Sequence, residues 1–110
     1  MDNLGDKYNF ITEFRNLIKN SKIENYDFHD MRDYYKNSCE FVDGFHGGDV
    51  TYQRILKKMY DENSILSKYL NIESIKKSID ENVGKTLTIF DKNKYKKHKE
   101  HDYLELGCIK

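Results

Sequence analysis

The chain has 110 residues, 19 basic and 19 acidic side chains, no Pro, no Trp and nine Tyr. That length suits one small domain, which buries roughly two thirds of its unfolded surface, with a core drawn from Tyr, Phe, Ile and Leu. A formal net charge of zero argues against a general binder of nucleic acid or anionic membranes, and no apolar run is long enough to span a bilayer.

The first element in chain order is an amphipathic helix over about Gly5 to Asn20, because Phe10, Ile11, Phe14, Leu17 and Ile18 recur at helical spacing. Ile23 to Phe28 then alternates apolar and polar residues, which predicts a short strand with one buried face. Helix followed by strand is half of a βαβ unit. His29 to Cys39 reads as loop, with one helical turn over Asp30 to Tyr35.

Next comes Phe41-Val42-Asp43-Gly44-Phe45-His46-Gly47-Gly48-Asp49. An Asp three residues before a His, among glycines and aromatics, is the pattern of a carboxylate that orients an imidazole base. Glycines there let the chain bend sharply and let a substrate approach. Asp49 is placed to cap a helix of about three turns carrying Tyr52, Ile55, Leu56 and Met59. Asn63-Ser64 breaks it, and Ile65 to Leu70 continues as a short helix. Asn71 caps another, with Ile72, Ile75 and Ile79 on one face and Gly84 at its end. In the tail, Thr86 to Phe90 and Tyr103 to Leu106 are β-prone and could close a β-hairpin around the basic run Lys92 to Lys99. The run is flanked by Asp91, Glu100 and Asp102, and reads as a solvated face rather than a phosphate-binding patch.

The two cysteines, Cys39 and Cys108, form no metal-ligand pattern. Their separation neither requires nor excludes a disulfide, and two free, buried thiols in a reducing compartment are the expectation. Ser38-Cys39 carries no nucleophile signature. His29 with Asp27 and Asp30, or His98 with His101 and Asp102, supplies too few ligands for a metal site, so neither a metal nor a cofactor is expected. Tyr26, Tyr34 and Tyr35 fit core or interface packing better than a pocket wall. Met1 to Asp6 has no signal-peptide pattern, which gives a cytoplasmic expectation.

Tyr26-Asp27-Phe28-His29-Asp30, the block Glu40 to Gly48 and the helix behind it resemble the C-terminal end of an SGNH (GDSL-type) hydrolase-like domain. The similarity is greatest to the branch around D-alanyl transfer and polysaccharide O-acetylation, and it covers about residues 10 to 60. The resemblance implies an α/β, helix-rich fold: the C-terminal part of a flavodoxin-like three-layer domain over residues 1–84, with an extension over 85–110. It implies His46 as general base and Asp43 as its orienting carboxylate. It also implies a cell-envelope setting, which this sequence gives no address for.

The family's Gly-Asp-Ser nucleophile is missing, since Gly5-Asp6 is followed by Lys7, and so are its oxyanion-hole blocks. One oxyanion donor alone is worth about 10²–10³ in rate. The expectation is therefore a split half of an esterase or acyltransferase, inactive alone. Its partner would be an upstream chain supplying the serine half, or a second copy meeting it through an exposed apolar face on Phe10 to Ile18. The alternative is a small α-rich interaction protein, of inhibitor or immunity type, in which Asp-x-x-His is coincidental.

Overall fold

In the computed structural model, residues 9–88, 93, 102 and 104–108 are described. Their α-helices are α1 (Asn9–Lys19), α2 (Asp49–Asp61) and α3 (Ile72–Glu81), with 3-10 helices at Ser38–Glu40 and Ile65–Tyr69. Among these residues there is no strand and no sheet; a single isolated antiparallel bridge joins Phe41 to Gly47. The flavodoxin-like three-layer α/β fold is thereby overturned, and the chain is a small helical protein.

The segment 23–28 shows why. Its alternation is real, but no neighbouring strand takes its backbone groups. Its side chains do other work: the Glu24 carboxylate accepts Ile65 N–H at 2.9 Å and the Ser64 hydroxyl at 3.3 Å, fixing the start of the second 3-10 helix. The Tyr26 and Phe28 rings stack with centroids 6.0 Å apart, and Phe28 meets Tyr34 edge-on. The β-hairpin expected in the tail finds no strand at Thr86–Thr88 or Leu104–Leu106, and most of the stretch between lies outside the described residues.

α2 begins one residue earlier than its sequence suggests. Gly48 is the N-cap and Asp49 the first helical residue, whose carboxylate accepts the Thr88 N–H at 3.0 Å. Glycine is required at 48, because a Cβ there would lie 2.1 Å from the Thr86 carbonyl oxygen and 2.9 Å from that of Glu40. α2 ends at Asp61 with Glu62 as its C-cap, and Asn63 just beyond takes a left-handed φ of 58°. α3 is capped as expected, with the Asn71 side chain accepting Ser74 N–H at 3.1 Å.

The centre of the molecule is polar. Val50 and Ile79 are the buried apolar residues among those described, against buried Glu40, Thr51, Ser64, Thr86 and Asp102. Burying an unpaired carboxylate is costly, so every oxygen of Glu40 is engaged. Oε1 accepts Arg54 Nη2 at 2.9 Å and Gly84 N–H at 2.8 Å; Oε2 accepts Arg54 Nη1 and Lys36 N–H. The Glu40 carbonyl takes Gly48 N–H at 2.7 Å, and Thr86 ties in through its carbonyl to Asp49 N–H at 2.8 Å. This knot joins the 3-10 turn, α2 and the end of α3.

The cysteines are not free thiols. Cys39 and Cys108 form a disulfide with Cα atoms 5.5 Å apart. The loop that delivers Cys108 is organised by Asp102, whose carboxylate accepts the N–H groups of Leu106, Gly107 and Cys108. No helix among the described residues is long and apolar enough to cross a membrane.

Candidate functional sites

Two places carry features beyond folding: the turn at Asp43–His46 and the face of α1. The turn does bring the two expected residues together. His46 Nδ1 lies 2.6 Å from Asp43 Oδ2, while Asp43 Oδ1 accepts the N–H groups of His46 at 2.7 Å and Phe45 at 3.0 Å. With its proton on Nδ1, the imidazole donates to Asp43 and leaves Nε2 as an acceptor. The backbone N–H of His46, followed by its ring and the N–H of Phe45, holds the Asp43 carboxyl at about 2 against an ordinary 3.8. The turn is pinned by Val42 N–H to the His46 carbonyl at 2.8 Å and bends at Gly44, whose φ is +80°.

The same geometry is also that of a turn capped by its own carboxylate. A short acidic side chain that caps its own turn is a common device, and the ring contact comes with the turn. The side chains are 65% (His46) and 48% (Asp43) exposed, and Phe45 packs edge-on to the imidazole with centroids 5.1 Å apart. Nearby hydroxyl and sulfur groups are otherwise employed: Thr51 Oγ1 donates to the Glu40 carbonyl and Cys39 is in the disulfide. Gly48, read as room for a substrate, serves the close approach of the Thr86 and Glu40 backbones.

The remaining candidates separate. Asp27 accepts His29 N–H at 3.0 Å and pairs with Arg15, and Asp30 pairs with Arg32. No group of three or more metal-ligating side chains occurs among the described residues. His98, His101 and the lysines of the basic run lie outside the described residues. A recess of about 410 Å³ between α2 and α3 is lined by Lys36, Arg54, Lys57, Lys76 and Asp80. Its cations are largely spent, with Arg54 on Glu40, Lys57 on Asp61 and Lys76 on Glu73.

The second site is the groove between α1 and residues 25–29. Phe10, Ile11, Phe14, Ile18, Tyr26 and Phe28 line about 620 Å³ of it, within the range of binding clefts. α1 buries no residue. Phe10, Phe14 and Leu17 are 63%, 61% and 71% exposed. What places α1 is polar: Arg15 pairs with Asp27 at 2.5 Å, and Asn25 Nδ2 donates to the Ile18 carbonyl at 3.0 Å. Desolvation holds the Tyr26 hydroxyl above its ordinary pKa, and that hydroxyl donates to Glu24 Oε1 at 3.0 Å. Tyr26, expected in core or interface packing, stacks on Phe28 and also lines this groove. Sequence periodicity marks an apolar face and says nothing of what covers it, which is why the groove was legible only as a helix.

No protein-family model, curated protein or solved structure matches the chain.

Proposed function

We propose that the protein is a small helical interaction protein that receives an amphipathic helix of a partner in the groove along α1. The observation that supports this reading is the exposure of Phe10 and Phe14, which line the groove, on a helix with no fully buried residue. An apolar stripe of that size is costly to leave in water, at roughly 25 cal/mol per Å². Its lining is mostly apolar and runs from Phe10 to Ile18 along α1, which suits side chains at i, i+3/i+4 and i+7 of a helix. Its rim selects charge: Arg15 is neutralised by Asp27, whereas Lys19 closes the last turn of α1. The occupant accordingly carries an acidic residue beside its apolar stripe.

Peptides selected against the intact protein test this. Binders are expected to be helical, apolar on one face and acidic near Lys19. Phe14→Asp should abolish binding and Lys19→Glu should weaken it, with the circular dichroism of the protein unchanged. Binders that ignore Phe14→Asp would remove the reading. A concentration-dependent dimer lost in Phe14→Asp would assign the face to a second copy instead.

One observation favours a second reading. The 2.6 Å bond from His46 to Asp43 leaves Nε2 free to accept a proton, so the turn could serve as the base of a site whose nucleophile comes from another chain. The chain alone should then not hydrolyse acetyl esters. Turnover by the chain alone that disappears in His46→Ala would overturn that expectation.

A further inference from the structure

We propose that the His46 imidazole is a phosphoryl-acceptor site, taking a phosphoryl group on Nε2 from a donor of the phosphoramidate (P–N) class. The site shares its His46–Asp43 bond with the second reading above, but the ring is itself the nucleophile and none is needed from another chain. It is independent of the groove.

A nucleophilic imidazole needs an unprotonated, unblocked nitrogen and a neighbour that favours the charge forming on the ring. The turn supplies both. Nδ1 donates to Asp43 Oδ2 at 2.6 Å, and a bond at one ring nitrogen sets the tautomer, which leaves the lone pair on Nε2. The carboxylate is fixed in its turn, because its other oxygen accepts the N–H groups of Phe45 and His46. The His46 side chain is 65% exposed and its neighbour Phe45 is 82% exposed, so a donor can reach the ring. Among the described residues the other histidine is His29, where the backbone N–H rather than the ring meets a carboxylate, 3.0 Å from Asp27 Oδ1. His29 is therefore an internal control.

The class of donor follows from the surroundings. Asp43 and His46 line neither recess described above, so the donor brings an already reactive phosphoryl group to an open edge. With a P–N donor, the bond broken and the bond formed are of the same kind, and the exchange runs close to balance. Nε2 attacks phosphorus as the donor's P–N bond breaks. From phosphoramidate itself, ammonia departs with the electron pair of that bond. The donor's ammonium charge is lost and the ring gains an equal one, while the Nδ1 proton stays where it is. That new charge forms beside Asp43, which favours the phosphorylated ring over the neutral one. The carboxylate is ionised throughout, being held at about 2.

The test treats the full chain with potassium phosphoramidate in mildly alkaline buffer. Mass spectrometry follows each histidine, and phosphorus and ring-nitrogen NMR identify the nitrogen that carries the group. His46 should react about tenfold or more faster than His29, the equivalent of one charge-assisted hydrogen bond, and on Nε2. Asp43→Asn keeps an oxygen for the Phe45 and His46 N–H groups but sets an amide donor against Nδ1, which drives the ring proton to Nε2. That variant should bring His46 to within about threefold of His29, with the circular dichroism unchanged. Equal rates at His46 and His29, a product on Nδ1 of His46, or a rate untouched by Asp43→Asn would each overturn the proposal. Ring-nitrogen shifts of the unmodified protein separate the two uses of the turn. A proton on Nε2 would remove both, whereas the expected tautomer without phosphoryl transfer would remove this one alone.

Discussion

α1 and the knot invert the usual arrangement of a small domain. In the knot a carboxylate is fully buried and its guanidinium partner is 10% exposed, while on α1 Phe10, Phe14 and Leu17 stand in solvent. The difference separates two sources of order. The knot is specified by satisfied polar groups, each placed by a backbone donor or a facing side chain. α1 has eleven residues, short enough to be marginal alone in water, and among the described residues the Arg15–Asp27 ion pair and the Asn25 amide help to place it. One region is complete; the other awaits a surface to lie on.

The sharpest way to break this comparison is at Glu40. Removing one partner of a buried pair leaves the other charge uncompensated, so Glu40→Ala should cost about 3–5 kcal/mol in urea unfolding. A double substitution, Glu40→Met with Arg54→Met, would normally recover much of that. Here it should not, because Gly84 N–H and Lys36 N–H also lose their acceptor, and each orphaned donor costs about 1–3 kcal/mol. Acid probes the same group. Burial alone pushes the Glu40 carboxyl up, but the bonds from Arg54, Gly84 and Lys36 outweigh it and hold it below its ordinary 4.5. Its stabilisation is thus present above the ordinary value and lost as pH falls below it. A cost under about 1 kcal/mol for Glu40→Ala would show that the knot is not what holds the domain.

The cap of α3 is a smaller test inside the complete region. Asn71→Ala removes the acceptor for Ser74 N–H and should cost about 1 kcal/mol, read from the thermal midpoint. This cap was visible in the sequence, as were all three helices, because caps and helical periodicity are local signals. The knot was not. Glu40 and Arg54 are 14 residues apart, and nothing in either neighbourhood marks them as partners. The segment Ile23 to Phe28 misled for the converse reason: alternation shows that one side can be buried, whereas a strand also needs a neighbour for its backbone. Asp43 and His46 were legible as a pair since three residues in a tight turn leave them little choice. A capping carboxylate and an orienting one look alike in sequence, so the spacing does not separate the two roles. The disulfide depended on Asp102 shaping a loop remote from Cys39, a relation no spacing rule encodes.

Acid also tests the turn, more gently. Asp43 titrates at about 2 in the fold against an ordinary 3.8, so its contribution is intact above the ordinary value and disappears as pH falls toward about 2. The N–H resonances of Phe45 and His46, which donate to Asp43, should move together over that window. Asp43→Ala should move both at neutral pH with no change in the knot. Movement of the His46 ring signals alone would mean that the ring contact, rather than the turn, depends on the carboxylate.

The smallest expected effect is the most discriminating. Phe14→Ser removes a large apolar side chain from the centre of the α1 face, a change that in a packed core costs about 3–5 kcal/mol. On this helix Phe14 is 61% exposed. The unfolding midpoint should therefore move by less than about 0.5 kcal/mol in either direction. Solubility should rise, and binding of an amphipathic peptide should disappear. The pairing of the two readouts matters: a phenylalanine that costs nothing to lose but everything to binding is placed for a partner. A loss of several kcal/mol would instead mean that α1 already packs as core within the chain, and the contrast between the two regions would vanish.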